Sequence, residues 1–179
     1  MNILSGKFKG KKLARCKTST IRPAMALVRK SIFDSLRDFI VNSSVLDLCA
    51  GTGILGLEAL SRGAEKLTLI DSDKNSARLI IKNLELCNAK AKVILGNLPR
   101  ILKKIRSEKY DLIFLDPPYG QGKFIQEVLE FIMANSLLTK NGIISIEHET
   151  KCEFVLPQAL VTYKSKKFGN TTITFLQHT

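Results

Sequence analysis

Cysteine, histidine and acidic residues are scarce in this chain, and long apolar runs are missing. The four cysteines, Cys16, Cys49, Cys87 and Cys152, lie far apart and form no Cys-x-x-Cys pair. With His148 and His178 as the only histidines, they do not make up a zinc site, so no metal is expected. Scattered free thiols suit a reducing compartment, and the expected location is the cytoplasm. No apolar stretch approaches the roughly 20 residues that cross a bilayer. Residues 1–7 carry no long apolar segment followed by a cleavage site, so neither a membrane span nor an export signal is expected. There is no internal repeat and no low-complexity tract. What remains is a 179-residue chain with 45% hydrophobic residues, enough for one ordinary domain with a sizeable core. A monomer is the default for such a chain.

The shortage of acid is uneven. Over the whole chain 28 Lys and Arg face 16 Asp and Glu, a net charge of +12. Residues 1–40 hold 10 basic and 2 acidic residues, or +8. Residues 41–149 hold 14 and 13, or +1, and residues 150–179 hold 4 and 1, or +3. A neutral middle with a strongly basic N-terminal end reads as a polyanion contact, with nucleic acid the first candidate. An anionic membrane surface is second, and no strongly amphipathic basic helix supports it.

Apolar periodicity then gives the order of elements. Residues 2–16 predict a short hairpin, with 3–8 and 11–14 flanking Lys9-Gly10. Residues 18–23 predict a loop that ends at a helix start, with Ser and Thr before Pro23. The helix covers about 24–40, with Leu27, Ile32, Phe33, Leu36 and Ile40 on its apolar face and Arg22, Lys30 and Arg37 pointing elsewhere. From there short apolar strands alternate with helices: strands at 45–49, 66–70, 91–95, 110–115 and 142–147, helices at 54–61, 73–86, 98–105 and 124–133. The segments 159–166 and 171–176 form a hairpin around Gly169-Asn170. This predicts an α/β fold, a doubly wound, mainly parallel seven-stranded sheet with an antiparallel C-terminal hairpin. The one candidate boundary is Asn42-Ser43-Ser44. It separates a basic hairpin-and-helix extension, 1–42, from the main domain, 43–179.

Chemistry gathers at the predicted C-terminal ends of the strands, where open α/β sheets bind ligands. The strand at 45–49 runs into Cys49-Ala50-Gly51-Thr52-Gly53, a glycine loop that opens a helix. The spacing of Gly51, Gly53 and Gly56 loosely fits a dinucleotide fingerprint. The loop has no Lys, which excludes a P-loop, and Asp47 precedes it, where a carboxylate can face a ligand ammonium. Asp71, about 20 residues past the loop and followed by Ser72, occupies the usual ribose position. Asp73 fits a helix N-cap better. Asn97, followed by Leu98, is placed either to meet an adenine edge or to cap a helix. The fourth strand ends in Asp116-Pro117-Pro118-Tyr119. Two prolines remove two backbone donors and keep the carbonyls. The result is a rigid, acceptor-rich turn beside an aromatic face, suited to a base with an exocyclic amine. A carboxylate for an amine, one for a ribose and a polar group for a base together describe S-adenosylmethionine. Glu147 and Glu149 can approach from the fifth strand, in a functional or a structural role.

Taken together these residues resemble the RsmD-type methyltransferases, which methylate the N2 amine of one guanine, guanine 966, in bacterial 16S rRNA. Gly10-Lys11-Lys12-Leu13, Ile21-Arg22-Pro23, Val28-Arg29 and Ile32-Phe33 match the N-terminal segment of that family. Residues 45–53 and 57–64 match its cofactor loop and first helix, Asp116 to Tyr119 its catalytic turn, and Ile146-Glu147 with Lys167-Phe168-Gly169 its last strands. Cys49 stands where Phe is usual and Asp71 where Glu is usual. The resemblance implies a Rossmann-like class I fold and S-adenosylmethionine held by Asp47, Cys49, Ala50, Gly51, Thr52, Gly53, Asp71, Ser72, Asn97 and Leu98. It implies catalysis by Asp116, Pro117, Pro118 and Tyr119. Lys7, Lys9, Lys11, Lys12, Arg15, Arg22 and Arg29 are the candidates to hold 16S rRNA, free or within a small ribosomal subunit or assembly intermediate. The rivals are a DNA adenine-N6 or cytosine-N4 methyltransferase, for which 179 residues leave little room for a target-recognition region. A protein glutamine methyltransferase normally has Asn in place of Asp116. A catalytically silent RNA-binding assembly protein of the same fold is the rival from another class.

Overall fold

A computed structural model describes residues 1–15 and 23–179. Helix α1 (Pro23–Leu36) leads into β1 (Ser44–Leu48), α2 (Ile54–Ser61), β2 (Lys66–Asp71), α3 (Lys74–Cys87) and β3 (Lys92–Leu95). β4 (Tyr110–Leu115), α4 (Gly122–Ala134), β5 (Leu138–Glu149), β6 (Leu160–Phe168) and β7 (Thr171–His178) complete the chain. The seven strands form one sheet in the order β3-β2-β1-β4-β5-β7-β6. The five strands β3 to β5 pair in parallel, and β7 and β6 join antiparallel. The chain winds outward from β1 in one direction and from β4 in the other, so the switch point lies between β1 and β4.

Strand alternation divides the core into two layers. Val45, Leu67, Leu69, Leu112 and Phe114 face one side, where α1, α2 and α3 cover them with Phe33, Leu57 and Ile80. Leu46, Leu48, Ile70, Ile113 and Leu115 face the other, against Ile125, Val128 and Leu129 of α4. Each such side chain stabilises by roughly 1.5–3 kcal/mol relative to exposure, which holds the strand ends, and hence the site, in register.

Several local expectations are corrected. Leu27 is 62% exposed, and Val28 takes its place in the core. Residues at i and i+4 share a helix face, so the stripe runs Val28, Ile32, Leu36. The helix also ends earlier, and Arg37–Ile40 forms a 3-10 turn. In α3 the buried face is Ile80, Asn83, Leu84 and Cys87, while Ile81 is exposed. Arg100–Ile105 is 3-10 rather than α-helical. β5 begins four residues before the expected start, with a register shift opposite Tyr110 and Leu112.

The N-terminal hairpin forms in minimal length, with the bridge of Asn2 and Lys12, the Ile3 amide on the Lys11 carbonyl at 3.1 Å and the Leu13 amide on the Met1 carbonyl at 2.9 Å. Residues between its arms bind α2 as well. Leu4 and Ser5 donate their amides to the buried Glu58 carboxylate at 2.7 and 3.0 Å. Lys7 donates to the Ser61 carbonyl at 2.8 Å, and Phe8 to Ser61 Oγ at 2.8 Å. Gly6 makes this approach possible. Its φ is +80°, and a Cβ there would sit 1.7 Å from the Ser61 carbonyl oxygen. Ile3 and Leu13 enter the same core layer as Phe33 and Leu57.

Candidate active site

Two cavities of about 880 and 550 Å³ open at the C-terminal ends of the strands, and Cys49, Asp116 and Glu147 line both. The larger reaches from Asp71 and Ser72 past Asp116 and Tyr119 to the β6–β7 turn, Phe168 to Thr171. The smaller lies between the glycine loop and the N-terminal segment, with Met1, Asn2, Leu4, Arg15 and Arg29 opposite Ala50, Gly51 and Thr52.

The loop is shaped by backbone that few side chains allow. Cys49 leaves β1 with φ of +60°, an uncommon value for a residue with a Cβ. Gly53, at the N-terminus of α2, has φ of +74°, and a Cβ there would press on Leu69 Cδ2 at 3.1 Å. Two carboxylates hold the loop from behind and beside. Asp47 Oδ2 accepts the Gly56 amide at 2.9 Å. Asp71 Oδ2 accepts the Gly51 amide at 2.7 Å, while its Oδ1 accepts that of Asp73 at 2.8 Å. Asp73 is the N-cap of α3, accepting from Ser76 at 2.8 Å, as its position suggests.

Asp116-Pro117-Pro118-Tyr119 forms one wall of the larger cavity. The Asp116 amide reaches back to the Leu48 carbonyl at 3.4 Å, tying the turn to the end of β1. The Tyr119 hydroxyl is hydrogen-bonded to Thr171 Oγ1, so the ring is anchored at one end while half of it stays exposed.

Electrostatics concentrate here. Burial, then the neighbouring Glu147 and Asp47, lifts the Asp116 carboxyl well above the usual carboxylate range. Burial raises Glu147 as well. Asp47 is pushed up to about 7, mainly by burial, with the Gly56 hydrogen bond opposing and Asp71 adding. Cys49 is pushed up to about 12 by burial and by the surrounding carboxylates Asp116, Asp71 and Asp47, so its thiol stays protonated. A cavity ringed by carboxylates suits a ligand that carries positive charge and hydrogen-bond donors.

The fold brings Cys49, Ala50, Gly51, Thr52, Asp71, Ser72, Asp116, Pro117, Pro118 and Tyr119 to these two cavities. Gly53 stands behind them at the start of α2. Asp47 is 1% exposed and lines neither cavity, so in this structure its carboxylate positions the loop. Asn97 and Leu98 also stay outside the two linings. They follow Gly96, whose amide donates to the Asp71 carbonyl at 2.9 Å, and the Asn97 carbonyl accepts from Ile101.

The basic residues divide. Lys7, Lys9, Lys11, Lys12 and Arg15 are exposed. Lys7 lies over the Phe8 ring, and Lys11 donates to the Leu86 carbonyl at 2.9 Å. Arg29 is 8% exposed, unlike a surface phosphate contact. Its Nη2 donates to the Asn2 carbonyl at 2.8 Å, and its Nε lies 4.0 Å from Glu58. Arg22 lies outside the described residues. Phe168 and Thr171 were not expected at the site. They reach it because β6 and β7 turn back at the cavity rim, a long-range placement with no local signal.

Residues 1–177 match the family described as Conserved hypothetical protein 95. The Ribosomal RNA small subunit methyltransferase D of Buchnera aphidicola subsp. Acyrthosiphon pisum is 36% identical over 165 residues, covering 92% of this chain and 86% of that protein. The protein of the same name from Escherichia coli (strain K12) is 34% identical over 152 residues, covering 84% and 76%. Among solved structures, that of yhhF from Escherichia coli superposes with a TM-score of 0.85 at 30% identity, covering 99% of this chain and 97% of that one.

Proposed function

We propose that this chain, which belongs to the Conserved hypothetical protein 95 family and is an S-adenosylmethionine-dependent methyltransferase of ribosomal RNA, methylates the exocyclic N2 amine of guanine 966 in 16S rRNA. The observation that carries this acceptor is the Asp116-Pro117-Pro118-Tyr119 turn. It presents a half-buried carboxylate and donor-free backbone to the larger cavity, beside an exposed aromatic ring.

The residues fit the cofactor. The glycine loop that opens α2 lines the cavity of about 550 Å³, Asp71 at the end of β2 lines that of about 880 Å³, and Cys49, Asp116 and Glu147 border both. Each volume is within the usual range for a cofactor pocket. S-adenosylmethionine, when bound, supplies a methyl group already activated by its sulfonium. Gly51 and Thr52, on the smaller cavity, would hold its amino-acid end, and Asp71, on the larger, its ribose.

The protein's own contribution is orientation. The Asp116 carboxylate and the Pro117 carbonyl accept hydrogen bonds from the N2 amine and turn its lone pair toward the methyl donor. Positioning of this kind lowers a barrier by several kcal/mol. Tyr119 stacks on the extruded guanine, worth roughly 1–3 kcal/mol. The amine proton leaves to solvent after transfer. Lys7, Lys9, Lys12 and Arg15, all exposed on the N-terminal extension, contact phosphates and position the RNA without reading its sequence. The protein acts as a monomer on a small ribosomal subunit or assembly intermediate.

The test is transfer of labelled methyl from S-adenosylmethionine to three acceptors: small subunits from a strain lacking the modification, naked 16S rRNA, and duplex DNA. Label in subunit RNA is expected. Label in DNA alone overturns the acceptor.

A further inference from the structure

We propose that Glu147 selects guanine by accepting a hydrogen bond from its ring N1–H, alongside Asp116 on the N2 amine. This rests on the guanine reading above and adds the residue that makes the site specific for that base.

The parallel ladder between β4 and β5 ends at Leu115 opposite Ile146. The next residues, Asp116 and Glu147, therefore leave adjacent strands side by side, about 4.8 Å apart at the backbone. Both line both cavities. Among the described residues, no ion pair or side-chain hydrogen bond engages either carboxylate. Both are half-buried at the cavity wall, and two neighbouring carboxylates without partners repel each other there. A ligand that brings two adjacent donors offsets that repulsion.

Guanine is the base that does so. Its Watson–Crick edge carries N1–H and the N2 amine next to each other. Adenine presents an acceptor at N1, and so does 2-aminopurine, which keeps the 2-amine. With Asp116 committed to the amine, the ladder neighbour is placed for N1–H. Glu149, two residues further on and on the same strand face, borders only the larger cavity. His148 between them turns away, its Nε2 bonded to Thr174 Oγ1 at 2.9 Å. Backbone pairing of Glu147 with Ile173 of β7 fixes the strand from its other side.

The experiment uses small subunits reconstituted with 16S rRNA carrying guanine or 2-aminopurine at the target position, with wild-type protein and Glu147→Gln. Wild type is expected to favour guanine by roughly a hundredfold in kcat/KM, because a carboxylate facing a ring acceptor forfeits a charged hydrogen bond. Glu147→Gln is expected to lose roughly ten- to hundredfold on guanine. Its guanine to 2-aminopurine ratio falls to within a few-fold, since the amide can donate to N1 of 2-aminopurine. A merely structural role lowers both substrates together and leaves the ratio unchanged, which overturns the proposal. Equal use of both bases by wild type overturns it too, and that comparison stands even where the variant does not fold. Transfer by wild type to neither particle overturns the guanine reading itself.

Discussion

Asn83 of α3 holds Ala14 by both of its backbone groups: Oδ1 accepts the Ala14 amide at 2.8 Å, and Nδ2 donates to the Ala14 carbonyl at 3.1 Å. The same Nδ2 donates to the Thr52 carbonyl at 2.9 Å. One fully buried amide thus joins the N-terminal extension to the glycine loop. Asn83→Ala strands three backbone groups, and a loss of roughly 2–4 kcal/mol in urea unfolding is expected. Weaker S-adenosylmethionine binding, read by calorimetry, is expected with it, because the loop loses its lateral tie. An unchanged affinity would mean that the loop holds its shape without Asn83.

Asp47 makes stability pH-dependent. Its carboxyl is pushed up to about 7 in the fold, against about 3.9 in an unfolded chain. A group raised in this way contributes stability that is complete below about pH 4 and is lost as pH rises to about 7. The difference is on the order of 4 kcal/mol. Asp116 and Glu147, also raised, act in the same direction. Urea unfolding at pH 5 and pH 8 is expected to show the ligand-free protein weaker at pH 8. In Asp47→Asn the gap narrows, since the amide oxygen can still accept from Gly56. Parallel profiles for the two proteins would contradict the burial of an ionisable Asp47.

Much of the site was legible in sequence because its signals are local. The glycine loop, the Asp73 cap and the Asp116-Pro-Pro-Tyr turn depend on neighbours within a few residues, and β4 and α2 have the bounds that their apolar runs suggest. The remainder depends on contacts distant in sequence. The N-terminal segment alternates like a hairpin and forms a short one, yet Glu58, some 53 residues away, takes the amides of Leu4 and Ser5. Leu27 and Val28 are equally apolar, and only the angle at which α1 meets the sheet buries Val28. Phe168 and Thr171 reach the cavity through the pairing of β7 with β5, which periodicity does not encode.

Tyr119 separates stacking from tethering. Tyr119→Phe keeps the ring and removes the bond to Thr171, and a fall in kcat/KM of only a few-fold is expected. Tyr119→Ala removes the stacking surface, and a fall of roughly 5- to 150-fold is expected. Steady-state kinetics on small subunits compare the two. Equal losses would assign the role to the hydroxyl.

Activity follows the ionisation of the acceptor pair. Asp116 and Glu147 are the stronger acceptors as carboxylates, and both are raised by burial, Asp116 also by Glu147 and Asp47. The acid limb of kcat/KM is therefore expected above the ordinary carboxylate range of about 4. Removing the neighbouring charge in Glu147→Gln is expected to move that limb to lower pH. A limb that stays in place would mean that another group controls it.

The most direct measurement is nucleoside analysis of 16S rRNA after incubation of unmodified small subunits with S-adenosylmethionine and either wild type or Asp116→Ala. N2-methylguanosine from wild type, reduced roughly 10²–10³-fold in rate by the substitution, is expected, as when one positioned polar group is removed from a reaction centre. N2-methylguanosine formed at equal rates by both proteins, or methylation of a different base, would contradict the role assigned to Asp116.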